Sequence, residues 1–145
     1  MKKLIINKDN TIKDVYRDFG IYTKHVPFIL YPKAKEPYKK SWYDEDGDDE
    51  YLPATPRYEA YTMNVDFVYE GALNTANTNI KNFLDFIQGG YFSLYDEYTG
   101  IGRQKIRYVS VDENATLYRR DKDVVEFTVS LKVNDPVTQI TITLP

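Results

Sequence analysis

The only histidine of this sequence is the first residue to consider for chemistry. His25 would have to act as the base for any imidazole-activated hydroxyl. None of the serines, at positions 41, 93, 110 and 130, stands in a local sequence that activates a hydroxyl. A zinc site needs several His or Cys ligands, and the chain has one His and no Cys. We therefore expect His25 to be an ordinary residue at a strand end, with neither a catalytic group nor zinc in the protein.

A run of acidic residues from Asp44 to Glu50 suggests calcium. Six of its seven residues are Asp or Glu, and the seventh is Gly47. If Gly47 takes the sixth position of a helix-loop-helix calcium loop, Trp42 falls on the first position and Pro53 on the last. Neither side chain can coordinate calcium, and no helix is predicted on either side. We expect instead a solvated hairpin tip that turns at Gly47 and one of its neighbours, with no specific metal.

Two other chemistries have little support from the residues. Acids are numerous enough that paired carboxylates of the glycosidase type stay open, but abundance on a solvated loop does not indicate a perturbed pair. Gly100-Ile101-Gly102 is too short for a phosphate-binding loop, and no helix is predicted after it. The sequence thus predicts no enzyme activity and no cofactor. An enzyme would need a cleft that holds two converging carboxylates.

Aromatic residues are the unusual part of the composition. They make up 15% of the 145 residues, and 14 of them are Tyr, whose apolar ring and polar tip suit half-buried sheets and protein interfaces. Two aromatic clusters fall in predicted loops, where such side chains commonly anchor protein contacts. The alternative is that they pack on the rim of the fold as a small satellite core. The candidate interface residues are Trp42, Tyr43, Tyr51, Tyr95 and Tyr98.

Charge and hydropathy argue against nucleic acid and membrane as partners. The formal net charge is −3, and the basic residues form no strong stripe of the kind that binds nucleic acid. No stretch approaches the roughly 20 apolar residues that span a bilayer. The apolar run at residues 4–6 is too short for a secretory signal, and a chain without Cys forms no disulfide. We expect a protein made in the cytoplasm that acts without membrane insertion.

The strands that must position these residues are indicated by alternating side chains. Between residues 57 and 70, alternate positions such as Met63, Val65 and Phe67 are apolar, and residues 124–133 alternate in the same way. Shorter apolar runs predict strands at 4–6, 26–31, 91–96, 103–111, 115–119 and 137–144. Because Pro27 cannot donate to a ladder, the 26–31 run is predicted as an edge strand or one that begins after Pro27. Asp18-Phe19-Gly20 is predicted as a turn.

Only one helix is predicted, over about residues 75–88. Its apolar residues recur at spacings of three and four, and Gly89-Gly90 supplies a left-handed stop. Residues 32–57 contain four prolines with mostly charged residues between them, which predicts a long loop or hairpin arm. Together these elements predict a mainly β (α+β) fold. We expect residues 1–145 to form a single domain, an antiparallel β-sandwich or barrel with one packed helix.

The order of these elements resembles that of tail proteins of long-tailed bacteriophages. The segments that carry the resemblance are residues 58–67, 79–87, 91–96 and 125–136, the last of which ends in Asp135-Pro136. The pattern is similar to that of the N-terminal domain of distal tail proteins, which form a ring at the tip of the tail tube. It covers most of residues 55–145.

The resemblance implies a structural subunit of a phage or prophage tail, without cofactor or enzyme activity. It also implies a homo-oligomer, usually a hexameric ring, that binds other tail proteins and resides in the virion tail after synthesis in the bacterial cytoplasm. Long loops and free strand edges suit the contacts of a closing ring.

Two alternatives to a distal tail protein stay open. The chain stops soon after Asp135-Pro136, where many distal tail proteins continue into a second domain, so a tail-tube, tail-completion or neck protein is the first alternative. The second is a small β-sandwich carbohydrate-binding module, in which Trp42 and the loop tyrosines would form a stacking platform.

Overall fold

The structure, a computed structural model, describes residues 2–112, 116–117 and 121–145. Neither helix in this part of the chain is long and apolar enough to cross a membrane. The strand predicted over 115–119 is seen only at residues 116–117, and its other residues lie outside the described ones. The elements in chain order are β1 (Leu4–Lys8), β2 (Thr11–Asp14), α1 (Val15–Phe19), β3 (Ile21–His25), β4 (Tyr38–Ser41), β5 (Asp48–Tyr51), β6 (Tyr61–Gly71), α2 (Ala76–Ile87), β7 (Phe92–Asp96), β8 (Ile101–Val111), β9 (Thr116–Leu117) and β10 (Asp123–Val133).

One antiparallel sheet dominates the fold. Its strand order is β2-β1-β7-β8-β10-β6-β3, and β9 pairs with β10 beside this path. The longest ladder joins β6 to β10, in continuous register from Asp123 opposite Gly71 to Val133 opposite Tyr61. The edge strands β2 and β3 stand at opposite ends of the order, although only α1 and Gly20 separate them in the chain.

This short connection forces the sheet to curl. In a flat sheet, six strand spacings of about 4.8 Å would hold β2 and β3 about 29 Å apart. The seven steps from Asp14 to Ile21 reach at most about 24 Å when fully extended, and far less here because five of the intervening residues are helical. The sheet is accordingly a curled antiparallel half-barrel with two helices, as expected for the predicted β-sandwich or barrel class.

The helix α1 makes the connection, and the prediction of a single helix was wrong. The Asp14 carboxylate accepts a hydrogen bond from the N–H of Tyr16 at 3.1 Å, and the Asp18 carboxylate accepts one from the N–H of Asp14 at 2.9 Å. Gly20 ends the helix with a φ of 70°. Five residues are too few to show helical periodicity. The predicted turn at Asp18-Phe19-Gly20 is therefore the last turn of this helix and its terminal glycine.

The predicted alternation in the two central strands is confirmed. Met63, Val65 and Phe67 of β6 are buried, and so is every second residue of β10 from Val125 to Val133. Residues that lie opposite each other in this ladder, such as Phe67 and Phe127, point to the same side of the sheet. One face of these strands therefore forms the core, as the period of two predicts.

The predicted helix is confirmed as α2, and Phe83 fastens it to the core. The Phe83 side chain is 1% exposed. Its ring centroid lies 5.2 Å from that of Phe67, 5.4 Å from that of Phe19 and 6.4 Å from that of Phe127. One aromatic side chain thus touches α1, β6 and β10 together. Edge-to-face pairs of this kind add about 0.5–1.5 kcal/mol beyond the area that they bury.

Charged side chains from two strands hold the ends of α2. The buried Asp123 carboxylate accepts hydrogen bonds from the N–H groups of Thr75 at 2.9 Å and Ala76 at 2.8 Å. At the other end, the Lys8 ammonium donates to the carbonyl oxygens of Phe86, at 2.8 Å, and Gln88. A negative group at the N-terminus and a positive group at the C-terminus both complement the helix dipole. Thr75, the residue before the helix, makes no side-chain cap bond, so Asp123 caps the helix from a strand distant in sequence.

The strand predicted at residues 26–31 was wrong. The strand β3 lies before it and ends at His25, where Val26 turns inward and Pro27 removes a donor. The next apolar side chains, of Ile29, Leu30 and Tyr31, are exposed. The strand in this region, β3, thus lies closer to the N-terminus than predicted, and the apolar side chains of residues 29–31 are on the surface.

The strand predicted at residues 137–144 was also wrong. The backbone there crosses β8 at Gly102, where the N–H of Ile140 donates to the Gly102 oxygen at 3.3 Å. A Cβ atom at Gly102 would lie 2.2 Å from the Ile140 oxygen, so only glycine permits the crossing. Burial alone would raise the pKa of Asp135, but hydrogen bonds from Gln104 and from the N–H of Thr138 outweigh it and hold that pKa below its usual value. These bonds form a turn that leads the chain away from the β10 ladder.

Replacing the Phe83 side chain should lower the free energy of unfolding more than replacing the Phe86 side chain. We expect Phe83→Ala to lower the free energy of unfolding by about 3–5 kcal/mol, because the cavity would open between three elements. Phe86→Ala, at a half-buried ring of the same helix, is the control and should cost clearly less. Urea denaturation followed by circular dichroism measures both, and equal losses would contradict the central position of Phe83.

The cap from Asp123 can be tested separately. We expect Asp123→Ala to lower the free energy of unfolding by about 2 kcal/mol, because two N–H groups at the helix N-terminus lose their acceptor. Asp85→Ala is the matched control, since Asp85 is exposed on α2 far from that end, and its change should stay within about 0.5 kcal/mol. Similar values for the two variants in urea denaturation would argue against the cap.

A candidate interaction surface on the hairpin arm

The hairpin arm predicted over residues 32–57 is present, and a short ladder forms its base. The N–H of Lys35 donates to the Arg57 oxygen at 2.7 Å, and the N–H of Glu59 donates to the Lys33 oxygen at 2.8 Å. Residues 34 and 58 form an isolated antiparallel bridge between them. We call residues 33–59 the arm. Its hairpin strands are β4 and β5.

Within the described part of the chain, the two arm strands pair only with each other. Their register sets Tyr38 opposite Tyr51 and Ser41 opposite Asp48, and all eight residues are exposed. An isolated two-stranded hairpin is at best marginally stable in water. The arm therefore has backbone and side-chain surface that a partner could cover with a gain in stability.

The arm has two chemically different faces. Since opposite residues share a face and neighbours alternate, Tyr38 and Tyr51 lie on one side with Lys40 and Asp49. We call this side the aromatic face. The two tyrosines are 76% and 70% exposed, respectively. The opposite side carries Lys39, Ser41, Asp48 and Glu50 and is charged.

Trp42 is fixed at the end of the aromatic face. Its indole Nε1 donates to the Asp49 carboxylate at 2.7 Å, and the Lys40 ammonium lies 3.7 Å from its ring centre. The ammonium covers one face of the indole, so only the other face is free to stack against a ligand or a partner. Charge and ring together hold Trp42 in a defined position on an otherwise exposed hairpin.

The acidic tip is a loop between the two strands, as predicted. It spans residues 42–47, with a backbone bond from the N–H of Glu45 to the Trp42 oxygen at 3.3 Å. Gly47 takes a φ of 79°, and the Tyr43 side chain is fully exposed. In the described part of the chain, no three His, Asp or Glu side chains lie close enough together to hold a metal ion.

The other two predicted interface residues lie elsewhere. Tyr98 is 80% exposed in the turn between β7 and β8, where the Asp96 carboxylate accepts a hydrogen bond from its N–H at 3.1 Å. Tyr95 is half-buried within β7, opposite Ile5 and Gly102, so its predicted place in this turn was wrong. The structure therefore unites Trp42 and Tyr51 on one hairpin, with Tyr43 at its tip.

Sequence reasoning missed several exposed residues of this region. The side chains of Tyr38 and Leu52 on the arm are exposed, as are those of Leu30 and Tyr31 just before it. The signal for them was a large apolar residue next to proline in a charged segment, where no strand could bury it. They add exposed apolar surface on the arm and in the segment before it.

A cleft of about 280 Å³ lies where the curled sheet stays open. Buried side chains of Leu4, Val15 and Ile21 line it, together with the outer edge of β3. His25 lies at its rim as the last residue of β3, which confirms the prediction of a residue at a strand end. We call this feature the seam cleft. Tyr98 belongs to it rather than to the arm.

Comparison with known proteins adds a likeness of fold. No protein-family model matches the chain, and no curated protein matches its sequence. Among solved structures, it is similar to the SPP1 Dit (gp 19.1) protein, presented as a paradigm of the hub adsorption apparatus in phages that infect Gram-positive bacteria. The two are 14% identical with a TM-score of 0.59, over 92% of this chain and 50% of that one. The chain thus spans about half the length of the SPP1 protein and shares its fold over that half.

The arm should contribute little to the stability of the sheet. We expect the double variant Tyr38→Ser with Tyr51→Ser to change the free energy of unfolding of the monomer by less than about 0.5 kcal/mol, because both rings are exposed. Tyr69→Ser, at a buried ring that bonds Thr75, is the control and should cost several kcal/mol, about 3 or more. Urea denaturation at low protein concentration compares them, and a large loss for the arm variant would show that the arm packs on the core.

Proposed function

We propose that this protein is a non-enzymatic structural subunit of a bacteriophage or prophage tail. The observation that supports this most is the similarity in fold to the SPP1 Dit protein over 92% of the chain. The resemblance found in the sequence points to the same class of protein. In this proposal the subunit resides in the virion tail and binds other tail proteins.

The proposed mode of action is self-assembly through the arm. The aromatic face displays Tyr38, Tyr51 and one side of Trp42 on a hairpin that only its own strands stabilise. Burial of a large apolar side chain contributes about 1.5–3 kcal/mol, so a partner that covers this face gains several kcal/mol. Aromatic anchors held in a fixed position are typical of residues that dominate protein interfaces.

A ring accounts for the two kinds of exposed edge. In a closed ring each subunit presents one surface to the neighbour on one side and a different surface to the other. The arm is one such surface. The free edges of β2 and β3 on the sheet are the other. We propose a homo-oligomeric ring, hexameric as in the resembling family, at the distal end of the tail. Positions in the tail tube, the completion complex or the neck are variants of the same proposal.

Sedimentation velocity over a wide concentration range tests self-assembly. We expect the protein to form oligomers, and the variant Tyr38→Ser with Tyr51→Ser to raise the dissociation constant about tenfold or more, since about 1.4 kcal/mol or more of apolar burial is lost. Tyr91→Ser, at an exposed tyrosine outside the arm, is the control and should assemble normally. A chain that stays monomeric, alone and with the products of neighbouring tail genes, would refute the proposal.

A further inference from the structure

The seam cleft has a floor that is apolar and a rim that is mostly basic. Lys2, Lys3, Lys24 and His25 line it, and the one acid among the lining residues is Asp96. The Asp96 carboxylate already accepts hydrogen bonds from the N–H of Tyr98 and the hydroxyl of Thr99, so it is engaged in its own turn. Among the residues that line the cleft, the cations therefore outnumber the acids, and the nearby carboxylates of Glu97 and Glu126 are engaged by the N–H of Lys3 and the ammonium of Lys24.

The basic residues of the rim are positioned by neighbouring contacts. The N–H of Lys3 donates to the Glu97 carboxylate at 3.3 Å, and the N–H of Glu97 donates to the Lys3 oxygen at 2.9 Å, which holds the N-terminal residues beside the cleft. The Lys24 ammonium donates to Glu126 at 2.6 Å, so its charge is partly balanced. The side chains of Lys2 and Lys3 form no ion pair within the part of the chain that the structure describes. They are the cations most available to a ligand.

The arm tip has the opposite character. Asp44, Glu45 and Asp46 are consecutive and exposed between the two aromatic side chains of the loop and Gly47. In β5, Glu50 lies opposite Lys39 and Asp49 lies opposite Lys40, whereas the three acids of the tip have no cross-strand partner in the register. The tip therefore carries three acids and a fully exposed Tyr43 at the end of a projecting hairpin.

We propose that the seam cleft of one copy receives the acidic tip of the arm, residues 42–47, from a second copy. This inference rests on the proposed function and names the surface that the arm binds. The carboxylates of the tip would meet Lys2 and Lys3, and Tyr43 would lie against Tyr98 at the rim. The free edge of β3 beside the cleft can also accept backbone hydrogen bonds from an extended segment.

The length of the arm fits this role. Between the base ladder at Lys35 and Arg57 and the turn at Gly47, one limb has 11 residues and the other has nine. The shorter limb corresponds to about 33 Å when extended. A domain of this size has a radius of gyration of about 15 Å, so such an arm can reach across the face of an adjacent subunit. Within one chain the residues of the tip are exposed and are not among those that line the cleft. A second copy is the occupant that satisfies both surfaces.

Charge reversal in two separate chains gives a direct test. One variant carries Lys at positions 44–46, as Asp44→Lys, Glu45→Lys and Asp46→Lys, and the other carries Lys2→Glu with Lys3→Glu. In each variant tip and cleft have charges of the same sign, so we expect about a tenfold or larger rise in the dissociation constant for self-assembly. Mixed in equal amounts, the variants present opposite charges to each other. Sedimentation velocity should then show assembly restored in the mixture.

Controls separate this inference from the proposed function. Lys81→Glu with Arg107→Glu reverses two exposed cations outside the cleft and should assemble like the unchanged protein. If the unchanged protein assembles but the tip and cleft variants match this control, the tip-in-cleft contact is refuted and the tail-subunit proposal stands. If the mixture fails to recover, the contact is refuted as well. If the unchanged protein never assembles, the proposed function itself fails.

Cross-linking tests the contact even where assembly is weak. Because the chain has no Cys, an Asp46→Cys chain mixed with a size-tagged Tyr98→Cys chain can join only through the introduced thiols. We expect a higher yield of this mixed disulfide than for Asp46→Cys with a tagged Lys81→Cys chain. Equal yields would overturn the proposal. A chain with both Cys at low concentration that closes on itself as a monomer would overturn it too, because the arm would then occupy its own cleft.

Discussion

The short connection between the two edge strands is the constraint on which the rest of the structure depends. Five helical residues and Gly20 join β2 to β3, although five other strands lie between them in the sheet. A connection of that length cannot bridge a flat sheet, so the strands must curl until the edges approach. The curl creates a concave side, which another element must fill. It also creates a gap between the edge strands, which the sheet does not close. The packing of α2 and the seam cleft are both consequences of it.

The aromatic core stabilises the same curl that the connection imposes. Phe19 belongs to α1, while Phe67 and Phe127 face each other on the central ladder, and Phe83 of α2 contacts all three. Loss of this ring therefore weakens the central strands and the closing helix together. The charges of Asp123 and Lys8 fix where α2 begins and ends, so that Phe83 meets its neighbours. Apolar packing contributes the larger part of the stabilisation of α2, and the two charged side chains fix its position along the sheet.

Those parts of the fold that depend on local periodicity could be predicted from the sequence. The central strands and α2 repeat their apolar residues over eleven or twelve positions, which is long enough for the period to show. The helix α1 has five residues and depends on the capping by Asp14 and Asp18 rather than on period. The apolar run after Pro27 and the segment after Pro136 have strand composition, but tertiary contacts decide their structure. The acidic hairpin was predictable because its turn chemistry is local, whereas the seam cleft joins residues distant in sequence.

If the tip of one copy lies in the seam cleft of another, as proposed, the contact joins two different places on the chain. Two copies can exchange arms about a two-fold axis, so that each tip lies in the partner's cleft, or successive copies can each pass the arm to the next until a ring closes. Both arrangements leave no tip and no cleft unused, whereas an open chain of subunits leaves one of each at its ends. The angle between the arm and the cleft on one subunit therefore sets the symmetry of any assembly built on this contact.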